Sequence, residues 1–211
     1  MKFVSLFTAS ALMLSLNIAV AADDNMVLVS GGKFSFGDDK KKIELGDFYI
    51  DKYEVTNAQY KKFRQEHEIP AGKENHPAAD ISYFDAEDYC KSVGKRIPTA
   101  EEWEKAARGT DGRAYPWGDK FDVKKANTSE GSKEGTVKVG SYDGGKSPYG
   151  AYDMSGNVWE WVDAWDSKKQ YRIARGGSYF EGEDMNRTTS TIMSIPDDIH
   201  EYIGCRCAKS K

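Results

Sequence analysis

Hydrophobic and polar positions along the chain follow two periods, broken by one long stretch that follows neither. Met26-Val27-Leu28-Val29 and Lys33-Phe34-Ser35-Phe36, joined through Gly31-Gly32, read as a strand, a glycine turn and a second strand; Phe48-Tyr49-Ile50 continues the sheet. Helices are marked by their starts. Thr56 with Gln59 forms a capping box ahead of Tyr60 and Phe63, which predicts a helix over 57–67. Ser82 with Asp85 opens a second helix, whose buried face carries Ala86, Tyr89, Cys90 and Val93 and which Gly94 stops. Thr99 with Glu102 opens a third, with Trp103, Ala106 and Ala107 inward and Gly109 at its end. Residues 110–155 then lose periodicity and are rich in Gly, Asp, Lys, Ser and Pro. So long an irregular stretch inside a domain is usually functional, ordered by a metal, or both. Val158 to Val162 alternates as a strand, with Trp159 and Trp161 on one face and Val158, Glu160 and Val162 on the other. Residues 171–180 and 201–208 read as closing strands.

The first 21 residues change the compartment. Lys2 precedes an apolar run that ends in Ala19-Val20-Ala21, and Ala22-Asp23-Asp24 follows, the pattern of a cleavable secretory signal. An uncleaved membrane anchor is the alternative; the Ser, Thr and Asn within the run and the lack of stop-transfer charges argue against it. The expectation is an exported protein, periplasmic or secreted, with residues 22–211 forming one domain of roughly 190 residues. The formal net charge is −4 and the charges are interspersed, so nucleic acid is not an expected partner. Lys40-Lys41-Lys42, the closest approach to a basic run, reads as a solvated turn. Three cysteines, Cys90, Cys205 and Cys207, imply in an exported chain one disulfide and one thiol, and spacing alone leaves three pairings, of which Cys205–Cys207 closes a small, strained ring.

Nine ordered blocks carry a family resemblance. They are Gly31-Gly32-Lys33-Phe34; Tyr53-Glu54-Val55-Thr56-Asn57 with Tyr60 and Phe63; His76-Pro77; Ser82 through Cys90; Gly94 through Glu104; Tyr115-Pro116-Trp117-Gly118; Ser155-Gly156-Asn157-Val158-Trp159-Glu160-Trp161; Arg175-Gly176-Gly177-Ser178-Tyr179; and Gly204-Cys205-Arg206-Cys207-Ala208. Together they resemble the formylglycine-generating-enzyme, or sulfatase-modifying-factor, domain. The resemblance implies an α+β fold with a C-type-lectin-like core: small twisted sheets, two or three helices and much irregular structure. It also implies a disulfide between Cys90 and Cys207, leaving Cys205 at a position the family fills with Phe. A Cys205-x-Cys207 copper site is the competing reading, since i and i+2 on a strand share a face.

Formylglycine-generating members oxidise a substrate Cys through two cysteines that bind Cu(I), a soft ion suited to thiolates. The matching positions here fall near Glu181 and Asn186. Neither is Cys, so copper and formylglycine synthesis are not expected. His67, His76 and His200 match no metal-ligand spacing. The resemblance does imply calcium at Ser155, Gly156, Asn157, Val158 and Glu160, through carbonyls and the Glu carboxylate; a metal-free turn is the alternative. A second family calcium site maps only partly, onto Asn127 and Thr128, because its later Asp falls near Gly131-Ser132. Ser178, Tyr179, Glu181 and Arg187 are the candidate pocket, Arg187 either holding a ligand carboxylate or pairing with Glu181, Glu183 or Asp184.

Two functions follow. One is an accessory or binding module for another exported protein or peptide, with residues 178–200 as its recognition surface. The other is a maturation enzyme of different chemistry, of oxidoreductase type, acting on a small molecule or peptide, as in siderophore-maturing relatives that lack the Cys pair.

Overall fold

The computed structural model describes residues 25–131 and 134–211. The signal-peptide expectation over 1–21 lies outside them, and among them no helix is long and apolar enough to cross a membrane.

Four strands come first: β1 (Met26–Val29), β2 (Gly32–Phe36), β3 (Lys41–Leu45) and β4 (Phe48–Asp51). β1 and β2 are neighbours in sequence but not in one sheet. β1 pairs antiparallel with β4, while β2 and β3 form a hairpin inserted between them. The solvated turn expected at Lys40–Lys42 is thereby corrected. Only Lys40 sits in the turn, at φ 53°, whereas Lys41 and Lys42 start β3 and Lys42 Nζ donates to Ser35 Oγ at 2.7 Å.

All three anticipated helices begin where their capping boxes stand: α1 (Asn57–Phe63) behind Thr56, α2 (Tyr83–Ser92) behind Ser82 and α3 (Ala100–Arg108) behind Thr99, each with both reciprocal cap bonds formed. α1 is shorter than the expected 57–67. Past Phe63 the chain turns back, with Lys61 Nζ donating to the carbonyls of Gln65 and His67 and the His67 ring meeting Asn57 Oδ1 at 2.8 Å. Val93, expected on the buried face of α2, is its exposed C-terminal cap. The C-terminal half supplies β5 (Trp159–Trp165), β6 (Arg172–Arg175), β7 (Thr191–Ser194), β8 (Ile203–Gly204) and β9 (Ala208–Ser210).

These strands form a sheet in the order β1-β4-β9, the β2-β3 hairpin, and a sheet in the order β7-β6-β5-β8 in which only β5 and β8 are parallel. β5 divides the core as its alternation foretold. Trp159 and Trp161 pack with Tyr60, Tyr89, Cys90 and Ile203 on one side, and Val162 packs with Trp103, Ala107, Met154 and Ile50 on the other. α3 packs against both β2 and β5 and is buried all round, its Glu102, Glu104, Lys105 and Arg108 included. Those charges find partners: Glu104 bridges Arg108 at 2.7 Å and also binds Arg175, Glu102 pairs with Arg96, and Lys105 Nζ donates to the Gly32 carbonyl at 3.0 Å.

Candidate functional site

Glu160 enters the interior with two β-branched neighbours and no exposure to solvent, a position that demands a counter-charge. Arg206 provides it. Its Nε and Nη2 each lie 2.6 Å from one Glu160 carboxylate oxygen, and Trp103 Nε1 donates to the same carboxylate at 2.7 Å. Nη1 and the second Nη2 hydrogen reach the carbonyls of Asp51 and Tyr152. This fork-on-fork pair is wholly buried. Arg206, which the chain places between Cys205 and Cys207, supplies that counter-charge from the protein itself. An Arg between two buried cysteines, in the link from β8 to β9, was the signal for it in the sequence.

The rest of the Ser155–Glu160 loop is also committed to protein contacts. Ser155 Oγ donates to Asn186 O, and Gly156 N donates to Gly176 O. Gly156 adopts φ 82° with its Cα so close to Asn127 that a Cβ would meet that carbonyl oxygen at 2.3 Å. Val158 is fully buried. Asn157 takes the left-handed φ of 67° that its tight turn required. Its amide is a clamp: Oδ1 accepts from Val137 N and Asn127 Nδ2, while Nδ2 donates to Glu54 Oε2 at 2.7 Å. Asp153 Oδ2 likewise accepts Gly140 N at 2.7 Å. Buried polar side chains thus order much of the irregular 110–155 segment. Asn127 Oδ1, Thr128 Oγ1 and Glu54 Oε1 are buried without a hydrogen-bond partner among the described residues.

Glu54, Asp153 and Glu160 share the Arg206 charge. Burial, then the charges of Asp153 and Glu160, push the Glu54 carboxyl well above its usual range. Burial raises Asp153 from 3.8 to about 6 against the pull of Gly140 N and Arg206. The stabilising effect of a protonated Asp153 is fully present below its unfolded pKa and is lost as pH rises through about 6. Asp153→Asn should therefore be more stable than the wild type at pH 8, by about 1–3 kcal/mol, and should match it near pH 4. Denaturant titrations across that range check this; a variant that is less stable at pH 8 contradicts it.

The second predicted locus, 178–187, is a tightly hydrogen-bonded turn. Ser178 is buried and its Oγ donates to Glu181 Oε2. Asn186, fully buried in a 3-10 turn at Glu183–Asn186, donates through Nδ2 to the carbonyls of Glu181 and Gly182. It fits only because Gly177, at φ 78°, has no Cβ, which would lie 2.1 Å from Asn186 Oδ1. Arg187 points outward, paired with Asp184 at 2.9 Å and 5.8 Å from the Tyr115 ring centre, so the salt-bridge reading of that residue holds. Tyr179 is half-buried beside Phe180. A cavity of about 790 Å³ does exist, but it lies elsewhere, between β4, α1 and α2, with Tyr53, Thr56, Phe63 and Tyr89 in its wall.

Cys90 and Cys207 are joined in a disulfide, with Cα atoms 5.6 Å apart, and Cys205 is a free, buried thiol. Burial holds that thiol well above its ordinary pKa, so it is no thiolate ligand at neutral pH. The Cys205-x-Cys207 copper reading is excluded, because Cys207 is consumed.

What the 178–200 segment exposes is apolar surface. Phe180 is 67% exposed, Met193 61% and Ile199 58%, with Met185 and Ile195 also outside. Phe180 stacks over Tyr202, and Tyr202 over His200, which bonds Ser194.

A family model described as the sulfatase-modifying factor enzyme 1-like domain matches residues 17–211. An uncharacterised protein of Bacillus subtilis, YfmG, is 30% identical over 89% of this chain, which spans only 55% of YfmG. The bovine protein named inactive C-alpha-formylglycine-generating enzyme 2 is 30% identical, with 87% of each chain covered. Among solved structures, Treponema denticola variable protein 1 superposes with a TM-score of 0.80 at 17% identity, covering 88% of this chain and 95% of that one. The architecture is thus the anticipated α+β fold with a C-type-lectin-like core.

Proposed function

The chain belongs to the sulfatase-modifying factor enzyme 1-like family, and from that premise we propose that it is an exported accessory protein that binds another exported protein through residues 178–200. The observation that carries this reading is the fate of the two positions where the family's catalytic cysteines fall. Asn186 is buried structural cement and Glu181 caps a turn through Ser178. The thiol that remains, Cys205, lies in the core away from them. With Cys90 and Cys207 bridged, the pair of thiolates that the family's oxidation chemistry uses is not available. The bovine relative, whose name calls it inactive, supports the same reading. Meanwhile Phe180, Met185, Met193, Ile195 and Ile199 are exposed apolar side chains along this one segment, the surface assigned here to the partner.

The test has two arms. A sulfatase-type Cys peptide incubated with the protein, copper and O₂ should yield no aldehyde. A photocrosslinking residue at position 180 or 199, in the producing cell, should give one discrete adduct, and the same residue at the exposed position 123, outside this face, should not. Aldehyde formation, or adducts that are absent or indifferent to position, overturns the proposal.

A further inference from the structure

β7 is the outermost strand of its sheet, and among the described residues its far edge pairs with nothing. Such an edge presents a row of free N–H and C=O groups, which proteins ordinarily blunt with charge, proline or a bulge. β7 reads Thr191-Ile192-Met193-Ser194 and has none of these, and its ladder with β6 is regular over all four residues. Each face of this edge carries one apolar side chain. Ile192 shares a face with Ala174 and Trp161, and Met193 shares the opposite one with Ile173 and Val162. Met193 therefore ends a buried row of side chains in solvent, where an added strand would cover it.

The charge beside this edge is one-sided. Residues 180–202 contain six acidic side chains and one basic, Arg187, which Asp184 already engages. Asp197, Asp198 and Glu201 follow directly on β7 in an exposed turn closed by Asp198 N on Ile195 O, and no ion pair engages them among the described residues. A strand laid along β7 and running two residues past Ser194 reaches this turn, at about 3.3 Å per residue.

We propose that the free edge of β7 takes up an extended, lysine- or arginine-bearing segment of the partner protein as an added strand. This rests on the recognition reading above and names its chemistry: main-chain bonds along the edge supply affinity, Met193 and Ile192 select small apolar side chains, and the acidic turn selects the cationic flank. A second copy of this chain is the poorer occupant, because each copy brings the same acidic segment.

The probe is a blocked peptide of roughly eight residues, a strand's usual length, with alternating Val and Thr in its centre and two Lys at each end. Controls carry Glu at the ends, or N-methyl groups on alternate amides. The Lys peptide is expected to bind the full chain at least about tenfold more tightly than the Glu peptide. It should slow hydrogen exchange of the outward amides of Thr191–Ser194, and N-methylation should abolish binding. Asp197→Asn with Asp198→Asn and Glu201→Gln, all exposed changes, should weaken it about tenfold without altering the melt. Equal binding of the Glu peptide, protection confined to other segments, indifference to methylation, or peptide-free dimerisation that protects β7 each overturns the proposal. Discrete crosslinks at 180 and 199 without β7 protection would leave the recognition face standing and remove strand addition alone.

Discussion

Glu160→Gln is expected to cost about 3–5 kcal/mol of stability, and to cost the same in calcium as in chelator. The carboxylate is the centre of three buried interactions, the two arms of the Arg206 fork and the Trp103 indole. Glutamine keeps an oxygen for one of them but leaves a buried guanidinium with no bidentate counter-ion, and removing one partner of such a pair strands the other charge. Removing both partners is not the simple remedy it is for an isolated ion pair. The Arg206 charge also offsets Glu54 and Asp153, which burial already drives toward the neutral form. Glu160→Gln with Arg206→Met should therefore remain unstable at pH 8, and adding Asp153→Asn should recover part of the loss. Denaturant midpoints in calcium and in chelator decide the matter. A loss seen only with calcium present would restore Glu160 as a metal ligand, and no loss at all would mean the pair contributes nothing.

How far the sequence discloses this arrangement depends on the range of the interaction. The helix starts were legible because a capping box is closed within four residues, and Thr56, Ser82 and Thr99 all form theirs. The face assignment in β5 was legible because alternation is local, and it put Trp161 and Val162 in opposite clusters. What escaped was set by distant partners. Lys41 and Lys42 look like a turn until β2 pairs with them, and Thr191–Ser194 is too short and too polar to announce β7 without β6 beside it. The partner of Glu160 lies 46 residues away, in the link between β8 and β9, beyond the reach of any local pattern. Family resemblance supplied the disulfide, which spacing alone could not choose. The same resemblance did not disclose the Arg206 counter-charge at Glu160 or the tight turn that Asn186 holds at 178–187.

Breaking the Cys90–Cys207 bridge should cost about as much as breaking the ion pair. The two cysteines are 117 residues apart, so the link removes a large loop-closure entropy from the unfolded chain, worth roughly 4–5 kcal/mol in the chain-entropy model. The native geometry explains why little else substitutes for it. β9 holds the C-terminus through a three-residue ladder with β4, and the segment before it is tied by the reciprocal bonds of Asp51 with Cys207. The bridge pins that same segment to the buried face of α2, and Arg206 is carried one residue away. Loss of the bridge should therefore loosen Arg206 and expose Glu160, so the disulfide and ion-pair losses should be less than additive in a double-mutant cycle. Cys205→Ala should cost only about 1 kcal/mol, a small cavity in the first core cluster, and native protein should resist thiol alkylation because that residue is both buried and protonated. Measured by denaturant titration, Cys90→Ala with Cys207→Ala should fall about 3–5 kcal/mol below wild type, with reductant reproducing the drop in wild type alone. A Cys205 variant that falls as far, or fully additive losses with Glu160→Gln, would show that the bridge does not hold Arg206 in place.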